Sequence, residues 1–274
     1  MEQLYLELLK KSLLGELYWE SEVRLLYLRD CVEGRDSYSP DTLLRIEERR
    51  RGFCERYREL NQTGRLVDDL LENLGYQHTM IGRARLENVA ACLESIRRER
   101  VPGDLIECGV WRGGTTVLMR GFLKAFGIAD RAVWVADSFA GLPGPSLPQD
   151  EGNDMSAVKY PMLAISLETV RDLFARYDLL DGQVRFLPGW FKDTLPSAPI
   201  EQLAMLRIDG DLYESTRDAL SALYPKLSAG GVVIVDDYHC IPACRQAVDE
   251  YRQQEGIATP IEAIDWTGVF WQKA

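Results

Sequence analysis

The chain has 274 residues, 46% of them hydrophobic and 27% charged, enough apolar material for one large folded core with an appendage and too much for a disordered protein. A formal charge of −11 argues against a nucleic-acid partner, since phosphate contacts need a basic surface, and leaves neutral or cationic small molecules. Six scattered cysteines show no disulfide framework in a chain large enough to fold without one, which points to a reducing cytoplasm.

The first 23 residues interrupt their apolar positions with Glu and Lys every few places, so they read as a helix and not as a signal peptide. No apolar run reaches membrane-spanning length. Residues 1 to about 75 form a helical extension, with apolar positions every three to four residues over 4–14, 21–33 and 42–60. Arg49, Arg50 and Arg51 resemble a nucleic-acid patch, but Glu47, Glu48 and Glu55 accompany them, and an ion-paired solvated face is the expectation. These helices are too apolar to stand free. They are expected to act as a lid or an oligomerisation surface, packed on the main domain or on a second copy in a homo-oligomer.

The main domain, residues 76–274, opens with an amphipathic helix over 84–99. From Asp104 onward short β-branched runs alternate with helical ones: strands at 104–110, 133–138, 183–189, 203–209 and 231–238, with helices at 117–126, 167–177, 215–223 and 243–252 between or after them. Such alternation predicts an α/β fold, a parallel sheet covered on both faces. Two last strands, near 260–264 and 268–272, follow each other without a helix, so a terminal strand should run antiparallel. An open sheet with this ending is the Rossmann-like arrangement of class I methyltransferases. Ligands in such sheets bind beyond the carboxyl ends of the strands. The stretch 140–161, rich in Gly, Pro and Asp, is a candidate lid over that end.

The first strand runs into Glu107-Cys108-Gly109-Val110-Trp111-Arg112-Gly113-Gly114-Thr115 and then a helix, a turn whose glycines let a ligand meet backbone amides. The second strand ends in Asp137, where an acid can accept from both ribose hydroxyls. Together they indicate an adenosine cofactor without separating a dinucleotide from S-adenosylmethionine. The spacing G-x-x-x-G-G, the absence of G-x-G-x-x-G, and a Glu107 that would repel a pyrophosphate favour the methyl donor over NAD. A purely structural role for the glycines, in packing helix against strand, stays open. No phosphate-loop motif and no G-x-S-x-G elbow occurs.

Two further strand ends carry acids, Asp209-Gly210-Asp211 and Asp236-Asp237. Strand-end aspartates can simply cap the following helices or form turns, but a pair beside a D-G-D favours a counter-charge. Asp209, Asp236 and Asp237 offer three oxygen donors at one sheet edge, suited to a hard divalent ion that keeps positions open for substrate. His239, Cys240 and Cys244 lie close together, but no second pair has zinc spacing, and with only His78 besides His239 a His-based triad is not expected.

The strings ECGVWRGGTT, VADSFAGLP, PGWFKDTLP, IDGDLYEST and GGVVIVDDY, in this order over about residues 78 to 272, resemble the macrocin O-methyltransferase family. The resemblance implies S-adenosylmethionine, magnesium, and methylation of a sugar hydroxyl on a glycosylated natural product, as in antibiotic biosynthesis. It implies Asp209, Asp236 and Asp237 as metal ligands and Asp211 as general base. Thr79, Met80, Glu107, Gly109, Val110, the Trp111–Thr115 turn, Asp137, Ser138, Phe139, Gly189, Trp190, Phe191 and Asp209 would hold the cofactor. Catechol-type relatives place a lysine base shortly after the first metal Asp; here Leu212 and Tyr213 follow, which favours a sugar acceptor. A catechol or phenol methyltransferase and an NAD-dependent oxidoreductase are the alternatives.

Overall fold

A computed structural model describes residues 1–65 and 77–274; the boundary expected at 75/76 lies outside the described residues. The N-terminal part is helical: α1 (Glu2–Leu13), α2 (Trp19–Val32), α3 (Pro40–Leu44), α4 (Ile46–Arg49) and α5 (Arg51–Thr63). The continuous helix expected over 42–60 is therefore three pieces, broken at Arg45 and Arg50. At the second break Arg50 leaves helical geometry, pairs with Asp36 and lies over the Tyr27 ring. Arg49 pairs with Asp41, so two of the three arginines of the basic run are ion-paired, with aspartates in place of the expected glutamates.

Helix α6 (Arg83–Glu99) leads into the sheet. The chain continues β1 (Asp104–Cys108), α7 (Gly114–Ala125), β2 (Val133–Asp137), α8 (Leu167–Arg176), β3 (Val184–Pro188), α9 (Phe191–Thr194), β4 (Leu203–Ile208), α10 (Tyr213–Leu223), β5 (Leu227–Val235), α11 (Pro242–Gln254), β6 (Glu262–Ala263) and β7 (Val269–Gln272). The seven strands stand in the order β3-β2-β1-β4-β5-β7-β6. The chain-terminal strand β7 is antiparallel to β5, as expected; it sits one place in from the edge, because β6 pairs along its outer side.

Alternation along each strand divides the interior in two. Leu105, Val133, Val135, Val232 and Ile234 face one core, which also takes in α6 and α7 residues. Ile106, Trp134, Ala136, Val233 and Val235 face the other, shared with α10 and α11. Strands buried on both sides read as near-continuous apolar runs, which is how they stand in the sequence.

Helix α1 belongs to the first core, through Leu6, Leu9 and Leu13, and packs on α7, where a side chain at Gly121 would strike Leu9. Helices α2, α4 and α5 close a smaller core of Val23, Leu26, Tyr27, Ile46, Cys54 and Tyr57. No described helix is long and apolar enough to cross a membrane, and all six cysteines are free.

Two outcomes follow from this packing. Leu13 is fully buried, so Leu13→Ala should cost about 2–5 kcal/mol, read as a lower urea midpoint with a single transition shared by sheet and helix signals. Glu22, half-buried on α2, has its pKa pushed up to about 7 by burial, against the pull of Arg112. Its folded form prefers the proton, so stability falls as pH rises from about 4.5 to about 7. Glu22→Gln should match the parent near pH 4 and exceed it at pH 8 by about 1 kcal/mol after solvent screening, measured by denaturation at both pH values.

Candidate active site

Strand register places one guanidinium among the acids. Glu107 on β1 is the direct partner of Arg207 on β4, and Arg207 is opposite Ile234 on β5. Residues two apart on a strand share a face, so Asp209 and Asp236, each two beyond one of these positions, come to the same side. Arg207, fully buried, donates to Glu107, to Asp209 (2.8 Å) and to Asp236. Arg85, buried on α6, donates to the other oxygen of Asp236 and to Asp265 (3.0 Å). Burial pulls both guanidinium pKa values down, but the facing carboxylates, Asp236 foremost, pull harder and leave them raised. Removing either partner of such a buried pair strands a charge in a dry interior.

A cavity of about 610 Å³ opens at the carboxyl ends of these strands. Of the residues expected at the site, Met80, Gly109, Trp111, Asp137, Ser138, Gly189, Trp190, Phe191, Asp209, Asp211, Asp236 and Asp237 line it. Thr79, Glu107, Val110, Arg112, Gly113, Gly114, Thr115 and Phe139 are not part of this lining. Glu107 lies under the floor, held by Arg207, with its Oε2 lacking a hydrogen-bond partner. Arg112 donates to the Gln77 carbonyl (3.0 Å). The loop after β2 supplies a wall through Leu142, Pro143, Met155 and Tyr160. The N-terminal helices reach the cavity at Gly64, where the Trp266 indole donates to the Thr63 carbonyl (2.9 Å).

The glycine turn is built by close approach. A side chain at Gly109 would collide with the Asp209 carbonyl, and one at Gly114 with that of His78, so the turn is seated against β4 and against the segment carrying Thr79 and Met80. Asp137 accepts from the amides of Val110 and Phe139, each at 2.8 Å, which ties the ends of β1 and β2 together. Burial raises its pKa despite these amides. Trp111, Phe139 and Asp211 all have positive φ (46°, 54° and 59°), non-glycine strain gathered at three strand ends around one cavity.

Burial raises the pKa of Asp209 to about 6, of Asp211 to about 8 and of Asp237 well above the usual range, and neighbouring carboxylates add to each shift. Burial likewise lifts Glu107 to about 8, against the opposing charge of Arg207. Asp209, Asp236 and Asp237 bring one oxygen each to within 4.8 Å of one another. Asp237 Oδ2 is buried without a partner. An orphaned carboxylate oxygen in a cluster of mutually repelling acids fits a hard cation. Asp236 would share oxygens already held by two arginines, using lone pairs those bonds leave free.

Arg85 and Arg207 are not among the residues expected from the sequence. The available signal was Arg207 as the one charge within the strand 203–208.

The family model for macrocin O-methyltransferase (TylF) matches residues 2–273. The chain belongs to the macrocin O-methyltransferase family. It is 58% identical over 198 residues to demethyldecarbamoylnovobiocin O-methyltransferase of Streptomyces niveus, covering 72% of this chain and 76% of that protein. It is 54% identical over 201 residues to mycinamicin III 3''-O-methyltransferase of Micromonospora griseorubida, covering 72% and 79%. The solved O-methyltransferase NovP superposes with a TM-score of 0.81 at 46% identity over the full length of both chains. The calicheamicin methyltransferase CalS11 shares the fold, with a TM-score of 0.53 at 20% identity over 78% of this chain and 92% of that one.

In this macrocin-type O-methyltransferase, Arg207→Leu leaves Glu107 and Asp236 short of a buried partner and should cost about 3–5 kcal/mol, seen as a lower denaturation midpoint. Adding Glu107→Gln should return part of the loss, because the double variant buries one uncompensated charge fewer.

Proposed function

We propose that the enzyme transfers the methyl group of S-adenosylmethionine to a sugar hydroxyl of a glycosylated natural product, with a divalent cation held by Asp209, Asp236 and Asp237. The observation that carries this reading is the orphaned Asp237 oxygen beside Asp209 and Asp236, in a cavity whose other side is the Gly109–Asp137 end of the sheet. The sugar class is supported by the names of the two relatives, one acting on demethyldecarbamoylnovobiocin and one on mycinamicin III.

Methyl transfer from a sulfonium is an in-line displacement, so the acceptor oxygen must be positioned and stripped of its proton. When bound, magnesium would supply Lewis-acid stabilisation of the developing alkoxide. The chain's own groups do the rest. Asp211 lines the cavity beside Asp209 and accepts the hydroxyl proton on a carboxylate oxygen. The lysine on the cavity wall, Lys192, is over half exposed and faces Glu214 at 3.7 Å, a worse placement for a base than that of Asp211. Aromatic walls at Trp111, Tyr160, Trp190 and Trp266 exclude water and give ring-shaped ligands flat apolar surfaces.

The test is methyl transfer to demethyldecarbamoylnovobiocin, to mycinamicin III and to a simple catechol, followed by mass spectrometry with magnesium or with chelator, alongside calorimetric titration of S-adenosylmethionine. A glycoside should be methylated only with the metal present. Asp211→Asn should lower kcat by about 10²–10⁴ while cofactor affinity holds. Asp237→Asn that keeps full magnesium-dependent turnover would remove the metal assignment, and methylation of catechol alone would move the acceptor class.

A further inference from the structure

We infer that Asp150, on the long loop after β2, is a positioning residue that seats Asp211 by capping helix α10 from a distance. The inference rests on the role of Asp211 proposed above.

Helix α10 begins with Leu212 in the N-cap position, and Leu has no oxygen to offer the first free amides. A local Ser, Thr, Asp or Asn would normally do this. Here Asp150, fully buried, fills the role from 63 residues away: Oδ1 accepts from the Tyr213 amide (2.7 Å) and Oδ2 from that of Glu214 (3.1 Å). Its negative charge also suits the positive end of the helix. Immediately before the capped turn stands Asp211 in the left-handed region (φ 59°), a conformation that aspartate tolerates better than most residues but that still costs energy, so its flanks help to hold it there. One flank is the sheet, where the Asp209 amide donates to the Cys108 carbonyl (2.8 Å). The other is the start of α10, clamped by Asp150. Asp211 is thus strung between two anchors.

The loop carrying Asp150 also lines the cavity, through Leu142, Met155 and Tyr160. The wall that meets the acceptor and the acid that takes its proton are therefore tied by one carboxylate. Where the loop is seated, Asp211 is seated.

Hydrogen–deuterium exchange and kinetics on the full-length enzyme test this. In Asp150→Ala the Tyr213 and Glu214 amides should exchange at least about tenfold faster, with amides of β1 and β4 unchanged. With the glycoside methylated in the preceding assay, kcat should fall by about tenfold or more, while the KM for S-adenosylmethionine stays within about twofold. Asp150→Asn keeps one acceptor oxygen and should recover part of both effects, and it serves as the readout where the alanine variant does not fold. Unchanged exchange at Tyr213 and Glu214 in a folded variant overturns the inference. So does a kcat within about twofold of the parent, or a parallel loss of cofactor affinity that marks general damage. Exchange needs no acceptor and no active base. Normal turnover in Asp211→Asn would therefore remove the base assignment while leaving the clamp to be judged by exchange alone.

Discussion

The arrangement at the heart of this enzyme depends on a guanidinium inside a β-sheet. Arg207 is fully buried and paired with Glu107, Asp209 and Asp236. Without it, those acids could not stand together at the ends of β1, β4 and β5. With it, and with Arg85 on the far side of Asp236, the acids remain in excess. Six carboxylates, counting Asp211, Asp237 and the Asp265 that Arg85 also holds, share the neighbourhood of two arginines; burial and the excess of negative charge together show in the raised pKa values of Asp211 and Asp237 and in the oxygen of Asp237 that nothing satisfies. A site built this way suits the cation proposed for it.

Much of this was legible in the sequence because the strands are buried on both faces and end abruptly in acids. Runs such as VWVAD and GVVIVDD have no other reading, and the order of strands and helices followed from them. The antiparallel terminal strand was legible from two short runs with no room for a helix between them. What was not legible is what depends on register. Nothing local marks Glu107 as the neighbour of Arg207 a hundred positions later; that follows only once β1 and β4 are aligned. The same holds for Asp150, which looks like one polar residue among several in a loop until α10 is seen to start without a cap of its own. Periodicity identified α1 as a helix with apolar residues, but could not say that Leu6, Leu9 and Leu13 face the main core while Leu4 and Leu8 stay exposed.

Strain and close packing do related work around the cavity. Gly109 lets β1 turn directly against the Asp209 carbonyl, so the cofactor-type turn and the acid-bearing strand share a backbone contact with no side chain between them. Trp111, Phe139 and Asp211 accept left-handed geometry at neighbouring strand ends, and each is fixed by what surrounds it. Conformations of this kind are retained where they aim a group that a relaxed backbone would misdirect.

Helix α1 has a consequence that concerns time. Its inward face is finished by α7, which begins about a hundred residues further along the chain. On a ribosome this helix must wait, apolar side chains uncovered, until β1 and its glycine turn have been made. Through that interval its apolar face is open to other chains, an exposure that a chaperone would cover.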